Sequence, residues 1–172
     1  MTPIIPYRKT TLHTSLTPEQ AAERITEITN NKRILKSQKQ HEYNNFWGTV
    51  EKDYFKIWRN INYRNSFLPV ISGKIKKGRT GTDIKLRAKP SIIIIIFMTI
   101  WMGIVSIACI AITIAALNTP NLSDKISSDS FPALIPFIMF VFGGILFNVP
   151  FTIEYNIAVK KIKEALEIKE KV

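Results

Sequence analysis

The sequence predicts an α+β domain joined to a transmembrane α-helical hairpin. Residues 91–117 and 131–152 are runs of 27 and 22 residues without a charge. Residues 1–90 hold short segments in which apolar and polar side chains alternate. An uncharged run of about 18 residues or more is typical of a membrane-spanning helix, and alternation is typical of a strand with one buried face.

The two apolar runs divide the chain into five parts. We predict a basic α+β cytoplasmic domain over residues 1–90 and an amphipathic cytoplasmic helix over 153–172. Between them we predict a transmembrane helix over 91–117, an extracytoplasmic loop over 118–130 and a second transmembrane helix over 131–152. Because the connection is short, the two helices should run antiparallel.

Small residues are expected on the contact face of this hairpin, because they let two helix backbones approach closely. They are Gly143 and Gly144 on the second helix, and Ser106, Ala108, Cys109 and Ala111 on the first. The hairpin could also contact a partner protein or a second copy of the chain.

Basic residues near the helix ends indicate the orientation. Lys85, Arg87 and Lys89 precede the first apolar run, and Lys160, Lys161 and Lys163 follow the second. The loop between the runs has one lysine. The positive-inside rule therefore places both termini in the cytoplasm, with the hairpin in the inner or plasma membrane.

The N-terminal part combines helix and strand signals. Thr17-Pro18-Glu19-Gln20 reads as a capped helix start, following a short strand over residues 11–16. Phe46–Val50, Tyr54–Tyr63, 70–76 and 82–88 read as strands, the last two joined as a hairpin.

The C-terminal helix has one apolar stripe, formed by Tyr155, Ala158, Val159, Ile162 and Leu166. We expect this stripe to cover the apolar face of the sheet; the alternative is that the helix lies in the membrane interface. An antiparallel sheet that grips a C-terminal helix is the layout of START-like helix-grip domains, to which this arrangement is similar. Those domains often hold apolar ligands, which is an analogy of fold only.

Basic side chains concentrate in the hairpin before the first apolar run. Residues 1–90 contain 18 basic and 7 acidic residues. A basic domain beside a membrane favours contact with anionic lipid, although charge can also protect a strand edge from pairing. The candidate lipid contacts are Lys74, Lys76, Lys77, Arg79, Lys85, Arg87 and Lys89.

No residue pattern indicates catalysis, a cofactor or a metal site. Cys109 is the only cysteine, and His13 and His41 lack ligand-like neighbours. Trp47 and Trp58 occur without any nucleic-acid-binding signature, so no nucleic-acid partner is expected. We therefore expect that the protein is not an enzyme.

The segment Tyr63-Arg64-Asn65-Ser66-Phe67-Leu68-Pro69 carries a resemblance. From Phe46 to about Phe147 the chain resembles a group of small uncharacterised bacterial two-span membrane proteins, which implies a membrane location and little else. The sequence thus predicts a membrane-anchored cytoplasmic binding or interaction module without catalytic activity. The alternative is an accessory subunit of a larger membrane complex.

Overall fold

The computed structural model describes residues 6–31, 45–118 and 132–168. The chain forms two compact units. The first, here called the sheet unit, joins Met1–Ser91 with Pro150–Val172; the second, the apolar unit, is Ile92–Val149. The loop predicted over 118–130 lies outside the described residues, except for Asn118, which ends a helix.

The sheet unit contains a six-stranded sheet among its described residues. The strands are β1 (Arg8–Thr14), β2 (Thr29–Asn31), β3 (Phe46–Val50), β4 (Tyr54–Arg59), β5 (Val70–Lys77) and β6 (Thr82–Lys89). Their order is β1-β6-β5-β4-β3-β2, and only the β2–β3 pair is parallel. The predicted α+β character and largely antiparallel sheet are confirmed. The first strand begins three residues earlier than predicted, and the fourth ends at Arg59 instead of Tyr63.

Helix α1 (Pro18–Glu27) begins where the capping pattern predicts. The Gln20 backbone N–H donates to the Thr17 hydroxyl at 3.3 Å, and the Thr17 backbone N–H donates to the Gln20 side-chain oxygen at 3.0 Å. These two bonds satisfy backbone donors that the first helical turn cannot satisfy itself. The helix buries Ala21 and Ile25 against the sheet core.

Helix α3 (Ile135–Ala165) completes the core of the sheet unit. The predicted stripe from Tyr155 to Leu166 is buried and belongs to the same apolar cluster as the inward residues of β1 and β3–β6. Polar contacts add to this packing: the Thr14 hydroxyl donates to the Leu166 carbonyl at 2.9 Å, and the Thr10 and Tyr155 hydroxyls share a hydrogen bond. The expectation that the C-terminal helix covers the sheet is confirmed.

The boundary predicted between residues 152 and 153 falls inside α3, which is continuous from Ile135 to Ala165 with Pro150 in its interior. A proline removes one helical hydrogen bond without necessarily ending the helix. The second apolar run and the C-terminal amphipathic segment are therefore one helix that contributes to both units.

The apolar unit consists of α2 (Ile92–Asn118) and the first part of α3. Both helices are long and apolar enough to cross a membrane. The two helices meet at Gly143, where an added Cβ would lie 2.7 Å from the Trp101 ring and 3.0 Å from the Met102 sulfur. An added Cβ at Gly144 would meet no atom of the described part of the chain within 4 Å. The prediction that Gly144 lies at the contact face is wrong, because a large ring of α2 packs over Gly143 alone.

Candidate functional site

The outer face of the sheet, which points away from α3, is strongly basic. Alternation along the strands buries Phe55, Ile71, Ile84 and Leu86 and turns their neighbours outward. Seven cationic side chains are exposed at outward positions of the described strands: Lys9, Lys56, Lys74, Lys76, Lys85, Arg87 and Lys89. We call them the outer-face cations.

Strand register places like charges opposite one another. Lys74 pairs with Lys85 across β5 and β6, and Lys9 pairs with Arg87 across β1 and β6. Directly opposed like charges destabilise a sheet by a few tenths to about 1 kcal/mol per pair. The face is therefore arranged unfavourably for folding alone and favourably for contact with an anion.

Acidic side chains offset very little of this charge. The one acid at an outward position of the described strands is Asp83, and its carboxylate contacts the His13 ring at 2.6 Å. Within the described residues, none of the outer-face cations lies within ion-pair distance of a carboxylate. The outer face thus presents cationic groups to whatever lies against it.

Aromatic and apolar side chains gather at one end of the outer face. We call this the exit end, because β6 stops here at Lys89 and the chain continues through Pro90 and Ser91 into α2. Trp47 pairs with Trp58 across β3 and β4, and Val70 pairs with Lys89 across β5 and β6. Tryptophan beside lysine is a combination typical of a membrane–water interface.

An open pocket of about 350 Å³ lies at the exit end. It is lined by Lys56, Trp58, Ser66, Leu68, Val70 and Ser91. Lys56, Trp58 and Val70 come from the outer face, whereas Ser66 and Leu68 come from the loop between β4 and β5. The loop carrying the resemblance segment therefore folds against the sheet and forms one wall of this pocket.

The loop between β4 and β5 is also held on its other side, away from the pocket. Tyr63 donates its hydroxyl proton to Glu154 of α3, and the same carboxylate accepts from the Arg59 guanidinium. Glu154 is 2% exposed, and its ion pair with Arg59 is correspondingly shielded from water. The hydrogen bond to Glu154 raises the pKa of Tyr63 above its ordinary value of 10.0, because the carboxylate stabilises the protonated phenol.

The seven predicted lipid contacts are all exposed, but they do not form one cluster. Five of them are outer-face cations, whereas Lys77 and Arg79 lie at the tip of the β5–β6 hairpin. At about 3.3 Å per residue, the strand from Thr82 to Lys89 separates the tip from the exit end by about 23 Å. A flat surface that touches Lys89 therefore need not reach Arg79.

The sequence reasoning missed two cations of the outer face, Lys9 and Lys56. A local signal existed for Lys56, since it lies between the buried Phe55 and Ile57. For Lys9 there was no local signal, because its position beside Arg87 depends on the pairing of β1 with β6.

Neither metal chemistry nor similarity to a known protein indicates a function. Across the described residues there is no group of three or more His, Cys, Asp or Glu side chains that could hold a metal ion. No family model matches the chain, and neither the curated proteins nor the solved structures compared with it give a match.

Proposed function

We propose that this chain is an integral membrane protein whose α+β domain binds anionic lipid at the cytoplasmic face of the inner or plasma membrane, without catalytic activity. The observation that carries the proposal is the outer face, where seven exposed cations are accompanied by one acid that is already paired with His13. Anionic headgroups would relieve the repulsion between the opposed pairs Lys74–Lys85 and Lys9–Arg87.

The apolar unit supports the membrane location. Its two helices are long and apolar enough to span, and large side chains such as Ile93 and Ile107 are exposed by 71% and 69%. Such exposure is costly in water and costs nothing in lipid. The excess of Lys and Arg beside the apolar runs favours cytoplasmic termini.

The strand order supports a helix-grip-like layout for the domain. The first strand pairs with the last, and α3 packs on the inner face of the resulting sheet. In this arrangement the inner face is occupied by the helix, so the outer face is the surface left for a partner.

Chain connectivity favours the exit end as the lipid contact. Only Pro90 and Ser91 separate β6 from α2, so Lys89 must stay within about 10 Å of the first residue of α2. Electrostatic attraction fades beyond a Debye length of about 8 Å at physiological salt. The cations that matter most should therefore be Lys89 and those of the adjacent row, Lys9, Arg87 and Lys56, with the hairpin tip contributing less.

Native mass spectrometry of the full chain, released from mixed phosphatidylglycerol and phosphatidylcholine membranes, tests this assignment. The exit-end variant replaces Lys56, Arg87 and Lys89 with Gln; its matched control replaces Lys76, Lys77 and Arg79, which removes the same charge from the tip. We expect the wild type to retain phosphatidylglycerol preferentially. The exit-end variant should lose up to about 3 kcal/mol of that preference, at about 1 kcal/mol per basic residue, while the control keeps most of it.

Equal losses in the two variants would show that the net charge matters and the position of the cations does not. No loss in either variant would overturn the proposal. The same spectra test the alternative, an accessory subunit of a larger complex. Gly144 and Gly103, where an added Cβ would meet no atom of the described residues within 4 Å, would allow close approach of a further helix. A stoichiometric protein partner in the wild-type spectrum would favour that alternative.

A further inference from the structure

The pocket at the exit end combines apolar walls with one cation. Trp58, Leu68 and Val70 supply the apolar surface, and Lys56 supplies an ammonium group. Ser66 and Ser91 add hydroxyl groups, and none of the lining residues is acidic. Further positive charge is close by, because Val70 pairs with Lys89 and Lys56 pairs with Ser72, which in turn pairs with Arg87.

The wall formed by the loop is held in place before any ligand arrives. The Phe67 backbone N–H donates to the Asn65 side-chain oxygen at 2.9 Å, which closes a tight turn. Pro69 is fully buried at the end of the loop, and Tyr63 ties its beginning to the buried carboxylate of Glu154. A preformed pocket loses less conformational entropy on binding than a flexible loop would.

The size of the pocket restricts the ligand. A volume of about 350 Å³ is near the lower end of the roughly 300–1,000 Å³ typical of small-molecule sites. The pocket is open to one side, and its volume suits one alkyl chain segment. The cation at the wall excludes a cationic head and favours an acidic one.

We propose that this pocket binds a single anionic amphiphile, with the alkyl chain between Trp58, Leu68 and Val70 and the acidic head beside Lys56. The site lies on the face of the sheet opposite α3. This inference rests on the proposed function, since it makes one anionic lipid a specific ligand within the wider basic surface. The shared chemistry is a carboxylate or phosphate head on an alkyl chain, whether it comes from a fatty acid or from a bilayer phospholipid.

Tryptophan fluorescence in neutral phosphatidylcholine nanodiscs tests the site, with 11-bromoundecanoate as the probe because bromine quenches indole on contact. The chain has three tryptophans, so replacing the other two with Phe leaves Trp58 or Trp101 as the sole reporter. Trp58 reports on the pocket, and Trp101, in α2, reports on probe dissolved among the lipids. We expect saturable quenching of Trp58 and a non-saturating rise in quenching of Trp101.

Two variants and two probes separate the contributions of head and chain. Lys56→Gln should weaken binding roughly tenfold, as expected for loss of a hydrogen bond to a charged group, whereas Lys52→Gln, an exposed lysine outside the lining, should leave it unchanged. Val70→Phe with Ser66→Leu should abolish saturable quenching by filling the pocket. The neutral analogue 11-bromoundecanol should bind about as weakly as the probe binds Lys56→Gln, and bromoacetate should not saturate.

The result that would overturn the site is Trp58 quenching that never saturates, or that is the same in the pocket-filled variant. Saturable binding of bromoundecanol at the affinity of bromoundecanoate would equally overturn the assignment of an acidic head. The pocket-filled variant keeps every outer-face cation, so its phosphatidylglycerol preference in the native mass measurement should persist. Persistence of that preference with failure of the quenching test would reject the pocket while leaving the proposed function intact.

An unaffected preference in both charge variants would reject the proposed function whatever the quenching shows. Phospholipid and free fatty acid are distinguished by repeating the quenching with phosphatidylglycerol brominated on its chain. Saturable quenching of Trp58 by that lipid identifies the bilayer as the source, and quenching only by bromoundecanoate identifies the free acid.

Discussion

The strands of the sheet unit bury their isoleucine side chains, whereas the apolar unit exposes most of its own. Ile57 and Ile84 of the sheet unit are 0% exposed, whereas Ile104 and Ile107 of the apolar unit are 63% and 69% exposed. In the strands each isoleucine alternates with a polar residue, so one face can be buried and the other left in water. In α2 apolar residues surround the helix, and no single partner could cover them.

Helix α3 shows the same difference within one element. Before Pro150 its apolar side chains are largely exposed, and Phe142 is 59% exposed. After Pro150 the pattern becomes one-sided, with Phe151 and Ile162 buried and Lys160 exposed. Composition therefore marks where a helix meets lipid or water, while periodicity marks where it meets protein.

The largest expected effect comes from a matched pair of substitutions in α3. Phe151→Ala should lower the free energy of unfolding of the sheet unit by about 3–5 kcal/mol, because it leaves a cavity in a fully buried cluster. Phe142→Ala should change it by less than about 0.5 kcal/mol, because that side chain is exposed and belongs to the apolar unit. Denaturant unfolding in detergent, followed by near-ultraviolet circular dichroism, would measure both; similar losses would contradict the division into two units.

The second largest loss of stability is expected at the buried ion pair between Arg59 and Glu154. Glu154→Ala leaves the largely buried Arg59 guanidinium without its carboxylate, and a loss of about 3 kcal/mol is expected. The control is Arg24→Ala, which removes an exposed pair with Glu167 and should cost at most about 1 kcal/mol. The same unfolding measurement applies, and a Glu154→Ala protein as stable as Arg24→Ala would show that the pair does not hold the loop.

A third comparison substitutes one glycine in each unit. Gly73 lies under the Phe55 ring of the neighbouring strand, so Gly73→Ala should force the ring aside and cost about 1–3 kcal/mol. Gly144→Ala in the apolar unit meets open space and should be neutral or slightly stabilising to the helix. Thermal unfolding of the two variants would distinguish them, and an unchanged Gly73→Ala midpoint would mean that Phe55 has room to move.

The smallest effect is a pH dependence at Tyr63. Its pKa is raised in the folded state, so its contribution to stability is fully present below about pH 10 and is lost as pH rises through the raised value. Tyr63→Phe should therefore be less stable than the wild type near pH 8, and the difference should shrink towards pH 11. A difference that is constant over this range would rule out titration of the Tyr63 hydroxyl as its source.

Local patterns predicted the elements of this chain well. The capping sequence at Thr17 and the apolar stripe from Tyr155 to Leu166 both describe interactions within one helix or on one of its faces. They can be read from neighbours three or four residues apart. The first apolar run matches α2 to within one residue because its composition, 27 residues without a charge, is also a local signal.

Long-range pairing could not be predicted in the same way. Alternation indicates which side chains share a face, but it does not give the register between strands distant in sequence. The β1–β6 pairing, which brings Lys9 beside Arg87, and the bond from Tyr63 to Glu154 join residues separated by 78 and 91 positions. The candidate site was therefore recognised as a basic hairpin, while its aromatic end and its pocket were not.

The central claim is that the part of the chain before α2 and the C-terminal part of α3 form one domain. Cysteines at positions 24 and 167, in a Cys109→Ala background, test it most directly, because the native Arg24 and Glu167 side chains meet at 2.8 Å. With the full chain in membranes, a short bis-maleimide reagent should join them within one molecule, and digestion should release the linked peptides. Cysteines at 74 and 167, on opposite faces of the sheet, should remain unlinked. If both cysteines of the first pair react with maleimide separately and no linked peptide forms, the C-terminal helix lies elsewhere and the account is wrong.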